Sequence, residues 1–374
     1  MADADATAVE VDPRAREEFI VDTDFHAGPS SDLAGLLPYV DDERLLRKFA
    51  VHHRLPNPKR TNTRFAKMSP EGYHTHGVAT TTEEVAAVME RFAIDQPIVA
   101  PGTNALPAVK YPRVKEAICR AVNDYLLDRI VDDAAKVKTH LALPIWNAEA
   151  CVAELDRLGD ERDVVGGYAW YGPFSPSLGE PQYDPVFEAL VERDLPLAIH
   201  VGGSTMAPVD LVGESMRTRM ETLGLLNAFY AMADCANLVA TGAFDAFPDL
   251  RVVVQEAGVS WLPFLANRLN EIYYTQPGDV QLAERLFDRG QAYLERDPGD
   301  YLYDNFFFST QPIALPPGGE RATFELCRAE STFMYSSDWP HHTLDPVNWV
   351  FGPAVDDDLR ARILRENARE CYPL

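Results

Sequence analysis

The sequence predicts an α/β fold, a (β/α)8 TIM barrel with a long insertion after its first strand. Three observations lead there. About eight short apolar runs alternate with amphipathic helical stretches along the chain. The acids and imidazoles that interrupt those runs fall at their carboxyl ends. No repeat or low-complexity linker divides the 374 residues, a length that suits one large barrel. A doubly wound open sheet is the alternative topology.

The runs are, in order, "FIVDTDFH" (19–26), "QPIVAPG" (96–102), "KVKTHLALPI" (136–145), "VVGGYAWYG" (164–172), "LPLAIHVGG" (195–203), "LRVVVQEAG" (250–258), "LYDNFFFST" (302–310) and "TFMYSSDWP" (332–340). Each is rich in β-branched or aromatic residues, as strands are. Between them lie helical patterns such as "TTEEVAAVMERFA", "RVKEAICRAVNDYLLDRI", "NAEACVAELDRLG", "DPVFEALVERD" and "WLPFLANRLNEIYY". Asn147, Asp184 and Thr81 or Thr82 suit N-caps. Residues 1–15 read as an acidic tail and 16–374 as a single barrel domain, in which 28–80 forms an insertion over the barrel mouth. A second long connection, "GGSTMAPVDLVGESMRTRM", follows the fifth strand.

The chain carries 58 acids against 34 bases, a net charge of −24, which argues against a nucleic-acid partner. The same excess suits a host with high internal salt. The five cysteines are scattered with no CxxC, which argues against a thiolate zinc site or a disulfide scaffold. "MADADATAVEVDPRAREE" has no apolar core of a signal peptide. No window is read as apolar enough to span a bilayer. The expectation is a soluble, cytoplasmic protein without membrane or nucleic-acid partners.

Alternation along the first strand places Asp22, Asp24 and His26 on one face. Asp24 and His26 end strand one, His200 ends strand five, Glu256 ends strand six and Asp338 ends strand eight. That is the face where barrel enzymes build their sites. One strand-end histidine is usually a hydrogen-bonded core residue. Several buried polar groups converging on one end are costly unless coordinated. Mixed imidazole and carboxylate donors suit Zn²⁺, Mn²⁺ or Fe²⁺ and disfavour an all-oxygen Ca²⁺ site.

Around this set lie further candidates. Trp170 and Trp261 are placed to stack on an aromatic or unsaturated substrate, with plain packing as the alternative. His341, close after Asp338, suits an orienting or substrate contact, as does its neighbour His342. Arg217 and Arg219 follow strand five, where one can pair a substrate carboxylate or a surface acid. His76 belongs to a second His-x-His, in "GYHTHG", whose polar flanks mark it as loop. His140 reads as structural.

The chain resembles the amidohydrolase-related branch that includes aminocarboxymuconate-semialdehyde decarboxylase, within the metal-dependent amidohydrolase superfamily. The resemblance runs from about Phe19 to Leu374. It rests on "VDTDFH", "AVNDYL", "LALPIWNAEACVAELDR", "YDPVFEALVERDLPLAIHVGG", "FPDLRVVVQEAGVSWLPFLANRL", "FSTQPI", "YSSDWPHHTLD" and "ENARECY" in that order. It implies one divalent ion held by Asp24, His26, His200 and Asp338, with zinc the first expectation and manganese or iron the alternatives. Asp338, Glu256 and His200 become the catalytic candidates. One departure stands out: the decarboxylases usually carry a histidine in an HxG where this chain has Glu256-Ala257-Gly258. A glutamate there acts as an acid only with a raised pKa, and is otherwise an extra metal ligand or a general base. The resemblance thus implies a nonoxidative decarboxylase of an unsaturated or aromatic acid, with a hydrolase of an amide or lactone as the alternative. From a different class comes a non-catalytic barrel binding a small ligand. The expected partner is a small carboxylate or carbonyl compound, and the resemblance implies a homodimer.

Overall fold

Each apolar run supplies one parallel strand, trimmed to its hydrogen-bonded centre. In the computed structural model these are β1 (Val21–Ala27), β2 (Gln96–Pro101), β3 (Lys138–Ala142), β4 (Val164–Tyr171), β5 (Leu197–Val201), β6 (Val252–Val254), β7 (Phe306–Ser309) and β8 (Phe333–Met334). The structure describes residues 13–28, 33–41, 44–45, 78–102, 106, 109, 111–171, 177–201, 218–315, 318–341, 343–351 and 355–374. All eight strands join one sheet in the order β1 to β8. Backbone bonds bring its edges together: Thr23 N–H donates to Tyr335 O at 3.0 Å, Asp338 N–H to Asp24 O at 3.0 Å, and His26 N–H to Trp339 O at 2.7 Å. The result is a (β/α)8 barrel.

Helices lie between the strands. The principal ones are α1 (Thr82–Phe92), α2 (Pro112–Arg129), α3 (Ala148–Leu158), α4 (Asp184–Glu192), α5 (Asn227–Ala240) and α6 (Leu262–Thr275). Thr81 and Asn147 cap α1 and α3, accepting from Glu84 N and Ala150 N. Asp184 does not cap. It is the first residue of α4, and its carboxylate goes to the buried Arg285, which also donates to Gly179 O. The seventh run is shorter than its apolar stretch, because its leading residues belong to a helix, Pro298–Asp304.

Strand alternation sorts the core into two layers. Leu197, Ile199, Val252, Val254, Phe306 and Phe308 face the helical shell, packing with residues such as Leu190 and Leu238. Ala198, Val253, Phe307 and Met334 face the other way, in the cluster that holds Tyr168 and Trp170. Gly166 of β4 is required by this inner packing: a Cβ there would meet His140 Cδ2 at 2.9 Å and Pro196 O at 3.0 Å.

One segment corrects the composition reading. Leu223–Ala240 has a mean hydropathy of 1.3 over 18 residues, long and apolar enough by length and composition to cross a membrane. Here it makes the crossover from β5 to β6, with Cys235, Leu238 and Val239 buried in the shell. Of the insertion at 28–80, only Gly28, 33–41, 44–45 and 78–80 are described.

Candidate metal centre

β1 delivers its polar residues through an irregularity. Its register with β2 shifts between Asp22 and Phe25, which separates Asp22 from the face expected for it. Asp22 does not join the cluster. Its Oδ1 accepts from Ser337 N at 2.9 Å and its Oδ2 from Ser337 Oγ at 2.5 Å, so it ties β1 to the residue before Asp338. Burial raises its carboxyl to about 7 against the lowering effect of those bonds.

Asp24, His26, His200 and Asp338 do converge, each offering one ligand atom within 4.8 Å of the others. His26 Nε2 stands 3.4 Å from Asp24 Oδ1 and 3.2 Å from Asp338 Oδ1. His200 Nε2 stands 3.5 Å from Asp24 Oδ2. None of these residues is exposed beyond 4%. Among the described residues, both Asp24 oxygens and both imidazole Nε2 atoms are buried without a hydrogen-bond partner. Leaving so many polar atoms unmet is expensive, and here they all face one point.

The electrostatics point the same way. Burial lowers His26 and His200 to about 3, so both rings are neutral and keep a lone pair. The His200 tautomer is set from behind: its Nδ1–H donates to Val201 O at 2.7 Å, turning the Nε2 lone pair inward. Burial, with Asp338 and Asp22 close by, raises Asp24 well above the carboxylate range. A cation relieves all of this at once. Two imidazole nitrogens and two carboxylates are a donor set suited to a divalent transition metal, and the residues fit one.

Asp338 and Glu256 sit at the ends of β8 and β6 with φ of +57° and +52°, left-handed values that cost a non-glycine residue energy. Both are held there. Asp338 Oδ1 lies 2.5 Å from His341 Nδ1, and its Oδ2 accepts from Thr343 Oγ1 at 3.3 Å. Glu256 N–H donates to Ser309 Oγ at 3.2 Å. Its Oε2 stands 3.4 Å from His200 Nε2; Glu256 is not one of the four converging residues, but with Asp338 and His341 it forms a second group whose donor atoms lie within 4.8 Å of one another.

The remaining candidates divide. His341 is buried against His26, ring centroids 4.5 Å apart. Trp170 pairs in register with His200 on the neighbouring strand and stacks on Trp146 at 5.7 Å. Trp261 instead donates its Nε1–H to Ala257 O and meets Phe308 edge-on, a packing arrangement of the shell. His76 and Arg217 lie outside the described residues, as does His342. His140 is buried, its Nε2 3.2 Å from Tyr372 Oη. Sequence reasoning missed Thr343, the Asp22–Ser337 tie and Asn227, which donates to Glu256. The alternation that includes Asp22 is a signal for a role at the site; nothing in the local pattern marks the other two.

Comparison with known proteins follows from this geometry. The chain is 24% identical over 299 residues to gamma-resorcylate decarboxylase of Rhizobium sp. strain MTP-10005, covering 77% of this chain and 85% of that one. A 5-carboxyvanillate decarboxylase from Novosphingobium aromaticivorans, solved with manganese and 4-hydroxy-3-methoxy-5-nitrobenzoic acid, shares the fold with a TM-score of 0.68 at 17% identity, over 96% and 97% of the two chains. A dihydroxybenzoic acid decarboxylase from Polaromonas sp. JS666, solved with manganese and 2-nitroresorcinol, superposes with a TM-score of 0.62 at 16% identity, over 95% and 96%. The family model described as amidohydrolase matches residues 50–374, beginning after the strand that carries Asp24 and His26. The chain belongs to the amidohydrolase family.

Proposed function

We propose that this chain is a nonoxidative decarboxylase of aromatic carboxylic acids that bear a hydroxyl beside the carboxylate. It works with one divalent ion held by Asp24, His26, His200 and Asp338. The observation that carries the reading is the set of buried, unmet ligand atoms on Asp24, His26 and His200 converging with Asp338. The identity of the relatives directs it to decarboxylation. Sequence reasoning puts zinc first; the manganese in the related structures makes manganese the metal to test beside it.

The bound ion supplies Lewis-acid charge that holds the substrate's oxygens and the electron density left as CO₂ departs. The chain supplies the rest. Asp338 is committed, its Oδ1 held by His341 and its Oδ2 by Thr343. Glu256, outside the ligand set, is the carboxyl that gives its proton to the ring carbon; a C–H bond replaces the C–C bond to the departing carboxylate. The Glu256 Oε2 stands 3.4 Å from His200 Nε2, next to the proposed ligands. Trp170 and His341 are the substrate contacts we assign, with Arg217 and His76, outside the described residues, as further candidates; Trp261, spent on packing, is not among them. The protein would act as a soluble cytoplasmic homodimer.

One observation favours a second reading. Glu256 is a carboxylate where the decarboxylases usually carry histidine, and a carboxylate suits a base that takes a water proton in hydrolysis. The deciding experiment loads the protein with manganese or zinc and offers it 2,6-dihydroxybenzoate, 5-carboxyvanillate and a panel of aryl amides and lactones. Release of CO₂ that Glu256→Gln abolishes supports the decarboxylase. Amide or lactone cleavage without CO₂ release replaces it with the hydrolase. Neither activity, with no stoichiometric metal, leaves the ligand-binding barrel.

A further inference from the structure

Glu256 is held in a left-handed conformation, φ +52°, which it does not adopt for free. Its N–H is fixed by Ser309 Oγ at 3.2 Å. Its other side meets the amide of Asn227, whose Nδ2 lies 3.2 Å from Glu256 O and 3.5 Å from Glu256 Oε1. Both atoms facing Nδ2 are acceptors, so the contact works only with a donor at position 227. Asn227 is 7% exposed.

The local helix explains how an asparagine comes to stand there. The segment Thr222–Leu226 is a π-helix, and Asn227 is the first residue of regular helix after it. A π-turn inserts one extra residue per turn, re-aiming the side chains that follow, and such insertions gather at functional sites. Asn227 Oδ1 is buried with no partner among the described residues. An amide that leaves its acceptor unmet costs stability, so it is retained for what its donor does.

We propose that Asn227 is a positioning residue: its Nδ2–H group fixes both the strained backbone and the carboxylate of Glu256 so that the carboxylate stands against His200. The role of Glu256 as the proton-transfer group rests on the function proposed above; the geometric part of the inference does not. Asn227 touches none of the four ligands in the contacts described, so its effect runs through Glu256 alone.

The test uses Asn227→Asp and Asn227→Ala in the metal-loaded protein. Aspartate has the size of asparagine but sets a carboxyl against two acceptors, so it removes the amide donor, and Asn227→Ala, which adds no charge, controls for repulsion. Both variants are expected to lose about 10- to 100-fold in kcat, the range for residues that orient active groups, with KM and bound metal unchanged. Crystal structures of the two variants give a readout that needs no activity: the Glu256 carboxylate should leave His200. If Asn227→Asp keeps Glu256 in place, or if the loss in kcat comes with equal loss of metal and melting temperature, Asn227 is structural and the inference is overturned. Should the wild type decarboxylate nothing, the function proposed above fails, and the position of Glu256 in the variant crystals still decides this one.

Discussion

His341 holds Asp338 at 2.5 Å from Nδ1 to Oδ1, three residues along the same turn, and packs its ring on His26 at 4.5 Å. It thereby links a ligand from β8 to a ligand from β1. Without it, Asp338 keeps only the hydrogen bond from Thr343 against a strained backbone. His341→Ala is expected to lower metal affinity and activity by about 10- to 100-fold. Titration of metal into the stripped protein measures this. Wild-type affinity in His341→Ala would show that the turn alone places Asp338.

The ligand set makes a separate prediction about metal and pH. His200→Ala and Asp338→Ala should each purify without stoichiometric metal, read by elemental analysis. In the stripped wild type, both imidazoles are already neutral above about 3, so they release no proton to the ion. Asp24, raised by burial and by its acidic neighbours, must release one. Metal affinity therefore rises with pH through the range where Asp24 titrates, and binding acidifies an unbuffered solution. An affinity that stays flat as pH rises above the ordinary carboxylate range would contradict the raised carboxyl.

Glu256 sets up an exchange of stability for activity. Its left-handed conformation costs on the order of 1–3 kcal/mol, against roughly 0.5–1 kcal/mol for the extra chain entropy of glycine. Glu256→Gly should therefore leave the stripped protein at least as stable to urea as the wild type while abolishing turnover. Marked destabilisation would mean that contacts of Glu256 outweigh its strain.

Much of the barrel and its ligand set is legible in the sequence. Eight strands in order, and the convergence of the four candidate ligands, show themselves because acids and imidazoles interrupt apolar runs at one end of each. What stays hidden depends on departures from regular geometry. Asp22 shares the alternation of Asp24 and His26, yet the register shift in β1 hands it to Ser337. Asn227 lies in an apolar helix, and nothing in 3.6-residue periodicity announces the π-turn that aims it. Asn123, which stands out in the sequence only as part of "NDYL", grips β3 on both sides of one residue: its Oδ1 takes Ala142 N–H at 2.7 Å and its Nδ2 donates to Ala142 O at 3.1 Å. That is a packing role that a motif cannot distinguish from chemistry. β6 and β8 are the shortest strands, Val252–Val254 and Phe333–Met334, because the chain must leave the ladder to bring Glu256 and Asp338 around.

His140 carries the clearest acid sensitivity away from the ligands. It lies buried among Gly166, Tyr168 and Tyr372, and burial pushes it from 6.5 down to about 3. The folded protein therefore keeps it neutral, while the unfolded chain takes up a proton below about 6.5. Between those values the unfolded state binds the extra proton, so the contribution is full above pH 6.5 and is lost as pH falls toward 3. His26 and His200 act in the same direction with or without metal, so the difference between wild type and His140→Gln at each pH isolates the part due to His140. His140→Gln should flatten the dependence of unfolding free energy on pH below 6.5 by one proton, about 1.4 kcal/mol per pH unit. At pH 8 the variant should be the less stable of the two, having lost the fit against Gly166 and the contact with Tyr372. Urea melts from pH 4.5 to 8 measure both limbs, and an unchanged slope would mean that His140 is protonated in the folded barrel.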